Sequence, residues 1–123
     1  MRPYVALGAL NAFLAVAFGA FGAHVLEARV EPARLDTFAT GVQYHMYHAL
    51  GLLIIGLLAE RMGASRRMQW AGRLLLIGII LFSGSLYLLV LTGVTVLGAI
   101  TPLGGVSFLA GWLLVALDAW SRR

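Results

Sequence analysis

The sequence predicts an all-α integral membrane protein: a four-transmembrane-helix bundle with both termini inside. Hydrophobic residues make up 61% of the 123 positions and the mean hydropathy is +0.92, more apolar surface than a soluble core of this size can hide. Apolar runs reach spanning length four times, about 4–26, 41–60, 72–92 and 102–120, within one domain covering 1–123. The runs are continuous and rich in Leu, Ala and Gly, without the period-two alternation of a barrel strand.

The charges orient the bundle. The net charge of +4 comes from nine arginines and no lysine. Arg2, Arg61, Arg66, Arg67, Arg73, Arg122 and Arg123 fall at one side of a four-span protein. Arg29 and Arg34 share the other with Glu27, Glu31 and Asp36. That asymmetry is the positive-inside pattern, so both termini and the second loop are expected inside. Charges at span ends attract lipid head groups and do not form a nucleic-acid surface. The chain has no cysteine, which removes disulfides, thiolate ligands and thiol catalysis.

The first run resembles a signal peptide, with small residues from Gly19 to Ala23. About 23 apolar residues make roughly 34 Å of helix, a full span, and Tyr4 beside Arg2 suits an interfacial anchor. An uncleaved span is therefore expected. Asn11, Ala15, Gly19 and Ala23 form an i, i+4 row that predicts close packing, a central position for this helix and a hydrogen bond from Asn11 across the seam. The second helix is expected to start outside the membrane near Pro32 and to close at Glu60-Arg61, with Gly63-Ala64-Ser65 turning the chain. The third span carries Ser83-Gly84-Ser85 near its middle. Thr101-Pro102 reads as an N-cap and first turn of the fourth helix, and Gly104-Gly105 lets that helix start close to another. Trp70 and Trp120 mark the arginine-rich interface. Small residues in span one and around Gly72, Gly84, Gly104 and Gly111 predict a homo-oligomer.

The stretch Gly41-Val42-Gln43-Tyr44-His45-Met46-Tyr47-His48-Ala49 holds polar side chains where a span should be apolar. Such groups must face protein or water, so they mark the candidate site. Counting back from Glu60 puts His48 roughly 12 Å below the outer surface, level with Ser83 and Ser85. The expected feature is an outward-opening polar pocket that binds a lipid, another small amphiphile or a protein partner through His24, Gln43, Tyr44, His48, Ser83, Ser85, Tyr87 and Thr101. His48 should be neutral near pH 7 and bonded to Ser83, Ser85 or Tyr87, or to Gln43 or Tyr44 one turn up its own helix. An alternative is a metal or haem site using His24, His45 and His48; His45 and His48 at i, i+3 share a helix face. A third reading is an oligomeric pore for protons or small solutes. No carboxylate lies at that depth to complete a nucleophilic triad, so no catalytic residue and no cofactor is assigned.

Several segments together resemble one family of small four-span membrane proteins, domain of unknown function 423, also called the transmembrane protein 256 family. They are Gly19-Ala20-Phe21-Gly22-Ala23-His24, Gly41-Val42-Gln43-Tyr44 through His48-Ala49-Leu50, Leu81-Phe82-Ser83-Gly84-Ser85-Leu86-Tyr87, and Thr101-Pro102-Leu103-Gly104-Gly105 leading to Gly111-Trp112. The resemblance covers nearly the whole chain and implies a bacterial inner-membrane or mitochondrial protein. It brings no activity, cofactor or catalytic residue. Its pattern has counterparts at His24 and His48, and the chain departs from it at His45.

Overall fold

The computed structural model describes residues 2–122, so Arg123 of the arginine-rich end lies outside the described residues. Within them every regular element is helical and there is no strand. Helix α1 (Arg2–His24) is followed by a short 3₁₀ turn and α2 (Pro32–Met62). Next come α3 (Arg66–Gly78), a π-helical turn (Ile79–Ser83) and α4 (Gly84–Thr92), which form one continuous rod. A second 3₁₀ turn leads to α5 (Thr101–Ser121). Four segments are long and apolar enough to cross a membrane: Arg2–Ala28, Pro32–Met62, Arg66–Thr92 and Thr95–Ser121.

Local chemistry sets the helix ends. Pro32 sits in the first turn of α2, where its missing N–H costs nothing. The Ser65 side chain caps α3 by accepting the Met68 amide at 3.1 Å. Gly93 closes α4 at φ +76°, a left-handed conformation that an L side chain adopts at a cost. Thr101 does not cap α5. It is the first residue of that helix, and its hydroxyl lies 2.6 Å from Ser85 Oγ on α4. The expected cap is thus a bond between spans.

The α2 helix and the α3/α4 rod form the middle of the bundle, with α1 packed chiefly on α2 and α5 on α3. Span one is therefore peripheral, contrary to the expectation from its small-residue row. The reason is geometric: four residues turn a helix by about 400°, so an i, i+4 row drifts about 40° per step, whereas seven residues drift only about 20°. The buried seam is Gly8, Ala15 and Gly22, and Ala23 is exposed. Gly72, Gly104 and Gly111 likewise meet atoms of their own chain, namely Tyr4, Phe82 and Leu75. The glycines used to predict a homo-oligomer are in these cases spent inside the monomer.

Two packed regions hold the spans together. Toward the arginine-rich end Leu52, Ile55, Ala59, Met68, Ala71, Leu75, Ile79 and Phe108 interlock; toward the other, Leu26, Phe38, Tyr87 and Val90 do. In lipid such contacts act by close packing and hydrogen bonding, because the tails outside are as apolar as the core. A polar clasp closes the arginine-rich end. Buried Asp118 accepts from Ser65 Oγ at 2.7 Å and from Arg122 Nε at 3.0 Å, while the Arg122 guanidinium also donates to the Met62 and Gly63 carbonyls that end α2. Tyr4 donates to the Gln69 carbonyl at 3.0 Å, tying the start of α1 to α3.

The closest backbone approach is where α5 crosses the π turn. A Cβ at Gly104 would press on the Phe82 backbone, with Phe82 Cα only 2.8 Å away, and backbone cannot step aside. At Gly105 the nearest atom is a Phe82 ring carbon at 4.0 Å. Gly104→Ala should therefore destabilise the folded protein by about 1–3 kcal/mol while Gly105→Ala leaves it nearly unchanged. Thermal unfolding of both variants in mild detergent checks this, and equal behaviour would contradict the packing described.

Candidate functional site

His45 lies on the face of α2 turned toward α1 and α4. Its Nε2 is 2.9 Å from Asn11 Oδ1 and its Nδ1 is 2.9 Å from the Tyr87 hydroxyl. Asn11 Nδ2 donates to the Leu7 carbonyl at 2.8 Å, which leaves Oδ1 as the acceptor. His45 must then carry its proton on Nε2, and in the neutral ring Nδ1 accepts from Tyr87. The result is a chain of donors running Tyr87 to His45 to Asn11 to the Leu7 carbonyl, linking three spans. Leaving one of these groups unpaired in such surroundings costs about 1–3 kcal/mol.

This network is deeper than the sequence suggested. Asn11 is nine residues beyond Arg2, about 14 Å of helix, near the middle of span one. His45 is level with it, and His48 stands one turn closer to the arginine-rich end. These two histidines thus sit near mid-height, whereas Thr101 opens α5 and His24 closes α1 at the far end.

His48 points differently. Its Nδ1 is 2.6 Å from the Tyr44 carbonyl, which can only accept, so Nδ1 carries the proton and Nε2 is left with the lone pair. The ring stacks on Phe108 of α5, with centroids 3.5 Å apart and planes 6° from parallel. No partner for Nε2 is present among the described residues. Every fully enclosed side-chain polar atom among them has one, so Nε2 is not sealed off. His48 is part of the wall of a groove of about 570 Å³ between α2 and α5, with Tyr44, Tyr47, Phe82, Phe108 and Trp112.

The remaining residues divide. Ser83 is buried and donates to the Gly41 carbonyl at 2.7 Å, and Ser85 pairs with Thr101; neither bonds His48, whose partner is its own helix. Tyr87 serves His45 and, with Ser85, lines a second groove of about 530 Å³ beside α1 that has Asn11 and His45 in its wall. The π turn accounts for this division: its extra residue rotates the rest of the rod by about 100° relative to an unbroken helix, turning Tyr87 to α2 while Phe82 meets α5. Gln43 is exposed on a third surface, near Gly19 and Val42. His24 is exposed at the end of α1, thirteen residues and about 20 Å of helix from Asn11. The residues of the expected single pocket are therefore dispersed: Tyr44 and His48 line one groove, Ser85 and Tyr87 the other, Ser83 and Thr101 are taken up by bonds between helices, and Gln43 and His24 lie apart. The alternative ligand set does not converge either: His45 has both nitrogens engaged, and among the described residues no three His, Asp or Glu side chains could share an ion.

The hydrogen bond expected from Asn11 across the seam is present, but its partner is His45, which sequence reasoning left outside the primary pocket; together they make the central network. Asp118 passed unremarked; an acid in the last turns of an apolar helix was the available signal.

Comparison with known proteins agrees with this architecture at the level of family. The model for the protein of unknown function DUF423 matches residues 18–105. A UPF0382 membrane protein of Bacillus subtilis, YwdK, is 50% identical over 119 residues, covering 97% of each chain. UPF0382 membrane proteins of Staphylococcus epidermidis and Staphylococcus haemolyticus are 50% and 45% identical, covering 95% and 96% of this chain and 94% and 95% of theirs. No solved structure matches. With a family model covering most of its length and relatives at half identity end to end, the chain belongs to the DUF423 (UPF0382) family of membrane proteins.

Proposed function

We propose that this protein is a non-enzymatic component of the bacterial inner membrane that holds an amphiphile in the groove between α2 and α5. The amphiphile's head carries an O–H or N–H donor, as a quinol-like molecule or a hydroxylated lipid head does. One observation carries this reading: the Nε2 lone pair of His48 has no partner among the described residues, and its ring forms part of the groove wall. An apolar, aromatic-lined groove with few polar groups is the usual composition of a small-molecule site. The hydroxyls of Tyr44 and Tyr47 also lack a partner among the described residues, and both side chains are partly exposed. A head group donating to His48 could thus bond a tyrosine as well. The orientation proposed with it has both termini and the Gly63–Ser65 turn on the cytoplasmic side, supported by the arginine asymmetry.

His48→Phe tests the binding reading. The variant keeps a ring on Phe108 and removes both ring nitrogens: the Nε2 acceptor that faces the groove and the Nδ1–H given to the Tyr44 carbonyl, a backbone group that stays within α2. The variant should fold, and the amphiphile seen with wild-type protein by native mass spectrometry should fall severalfold, up to about tenfold. Unchanged retention, or wild-type protein carrying no amphiphile from several mild detergents, would overturn the proposal. The orientation has its own check: a cysteine replacing Ala64 should react only with reagent reaching the cytoplasmic side, and reaction from outside would reverse the topology.

A further inference from the structure

A second surface lies at the arginine-rich end, away from His45 and His48. Arg66, Gln69, Trp70 and Arg73 stand at i, i+3, i+4 and i+7 on α3, so they share one face and line an open cleft of about 610 Å³. The Arg73 guanidinium carbon is 4.9 Å from the Trp70 ring centroid, a cation–π contact that holds the side chain over the indole. Among the described residues neither Arg66 nor Arg73 has an acidic partner. The ion pair within 4 Å is Arg122 with Asp118, and the neighbouring Arg67 is engaged by Ser121 Oγ at 2.9 Å. Beyond Arg73 the same face continues as Ile77 and Ile80, both exposed. From Arg66 to Ile80 the rod rises about 21 Å. Over that length it presents two unpaired cations, an indole and then branched aliphatics.

We propose that this face is a binding site for an anionic phospholipid, with its phosphate between Arg66 and Arg73. The guanidiniums offer forked N–H donors that match phosphate oxygens. Trp70 stands between the two cations, just before the aliphatics, as an indole does at the level where head group gives way to acyl chain. The chain then lies along Ile77 and Ile80. A freely soluble phosphate would use the cations but not the aliphatic continuation, which is why a lipid is the occupant. The site is independent of the amphiphile groove and of which side of the membrane this end faces.

Native mass spectrometry of the full chain in an uncharged mild detergent tests this, with added phosphatidylglycerol, phosphatidylcholine or inorganic phosphate. Phosphatidylglycerol should bind more tightly than phosphatidylcholine, and inorganic phosphate in excess should not displace it. Arg66→Gln and Arg73→Gln should each weaken phosphatidylglycerol binding about fivefold. Arg61→Gln, which removes the same charge at the same end but outside the cleft, should leave it unchanged. Equal binding of the two lipids, an equal loss in Arg61→Gln, or displacement by inorganic phosphate would each overturn the proposal. All three arginines are exposed, so the variants should unfold at the wild-type temperature.

Discussion

The bundle depends on one constraint: polar side-chain atoms sealed away at mid-height of apolar helices must find their hydrogen bonds within the protein. Asn11, His45 and Tyr87 meet it together, each supplying what the next one lacks. Much of the surrounding packing serves that network. Gly41 leaves room for the Tyr87 ring, the ring centroids of Phe18 and Phe38 lie 4.7 Å and 5.0 Å from its own, and Ala15 with Gly22 bring α1 close enough for Asn11 to reach α2. The network is fixed by α1 on one side and α4 on the other, so it also sets how these two helices are rotated.

His45 and His48 are one turn apart on the same helix and do opposite things. His45 uses both nitrogens to hold spans together, and a residue so engaged has nothing left to offer a ligand. His48 uses one nitrogen on its own helix, where the bond adds little between spans, and leaves the other available in a groove. The contrast separates an engaged ring from an open one more sharply than depth or exposure does, since both rings are buried to a similar degree.

The architecture was legible because it depends on composition and punctuation: four apolar runs, Pro32 at a helix start, Gly63 and Gly93 at helix ends, and tryptophans beside arginines. The pairings within the site were less so. Which serine or tyrosine faces which histidine depends on rotation about the helix axis, and the π turn at Ile79–Ser83 changes that rotation without a proline to mark it. Counting from Glu60 alone puts His48 too near one surface, since α2 extends well beyond the apolar run at its Pro32 end. The position of α1 supplies the better ruler: Asn11, reached by His45, is near the middle of its span. Asp118 shows the same limit. Its charge is visible in the sequence, but its role depends on Ser65 and Arg122 arriving at one point from two different elements.

The central claim, that one histidine is glue and the other an open acceptor, has a direct spectroscopic reading. Long-range proton–nitrogen correlation spectra of the ¹⁵N-histidine-labelled protein in detergent micelles near pH 7, assigned with single His→Gln variants, report which ring nitrogen carries the proton. The account predicts two neutral rings in opposite tautomers: His45 protonated on Nε2, His48 on Nδ1. A shared tautomer, or a charged His45, would contradict it.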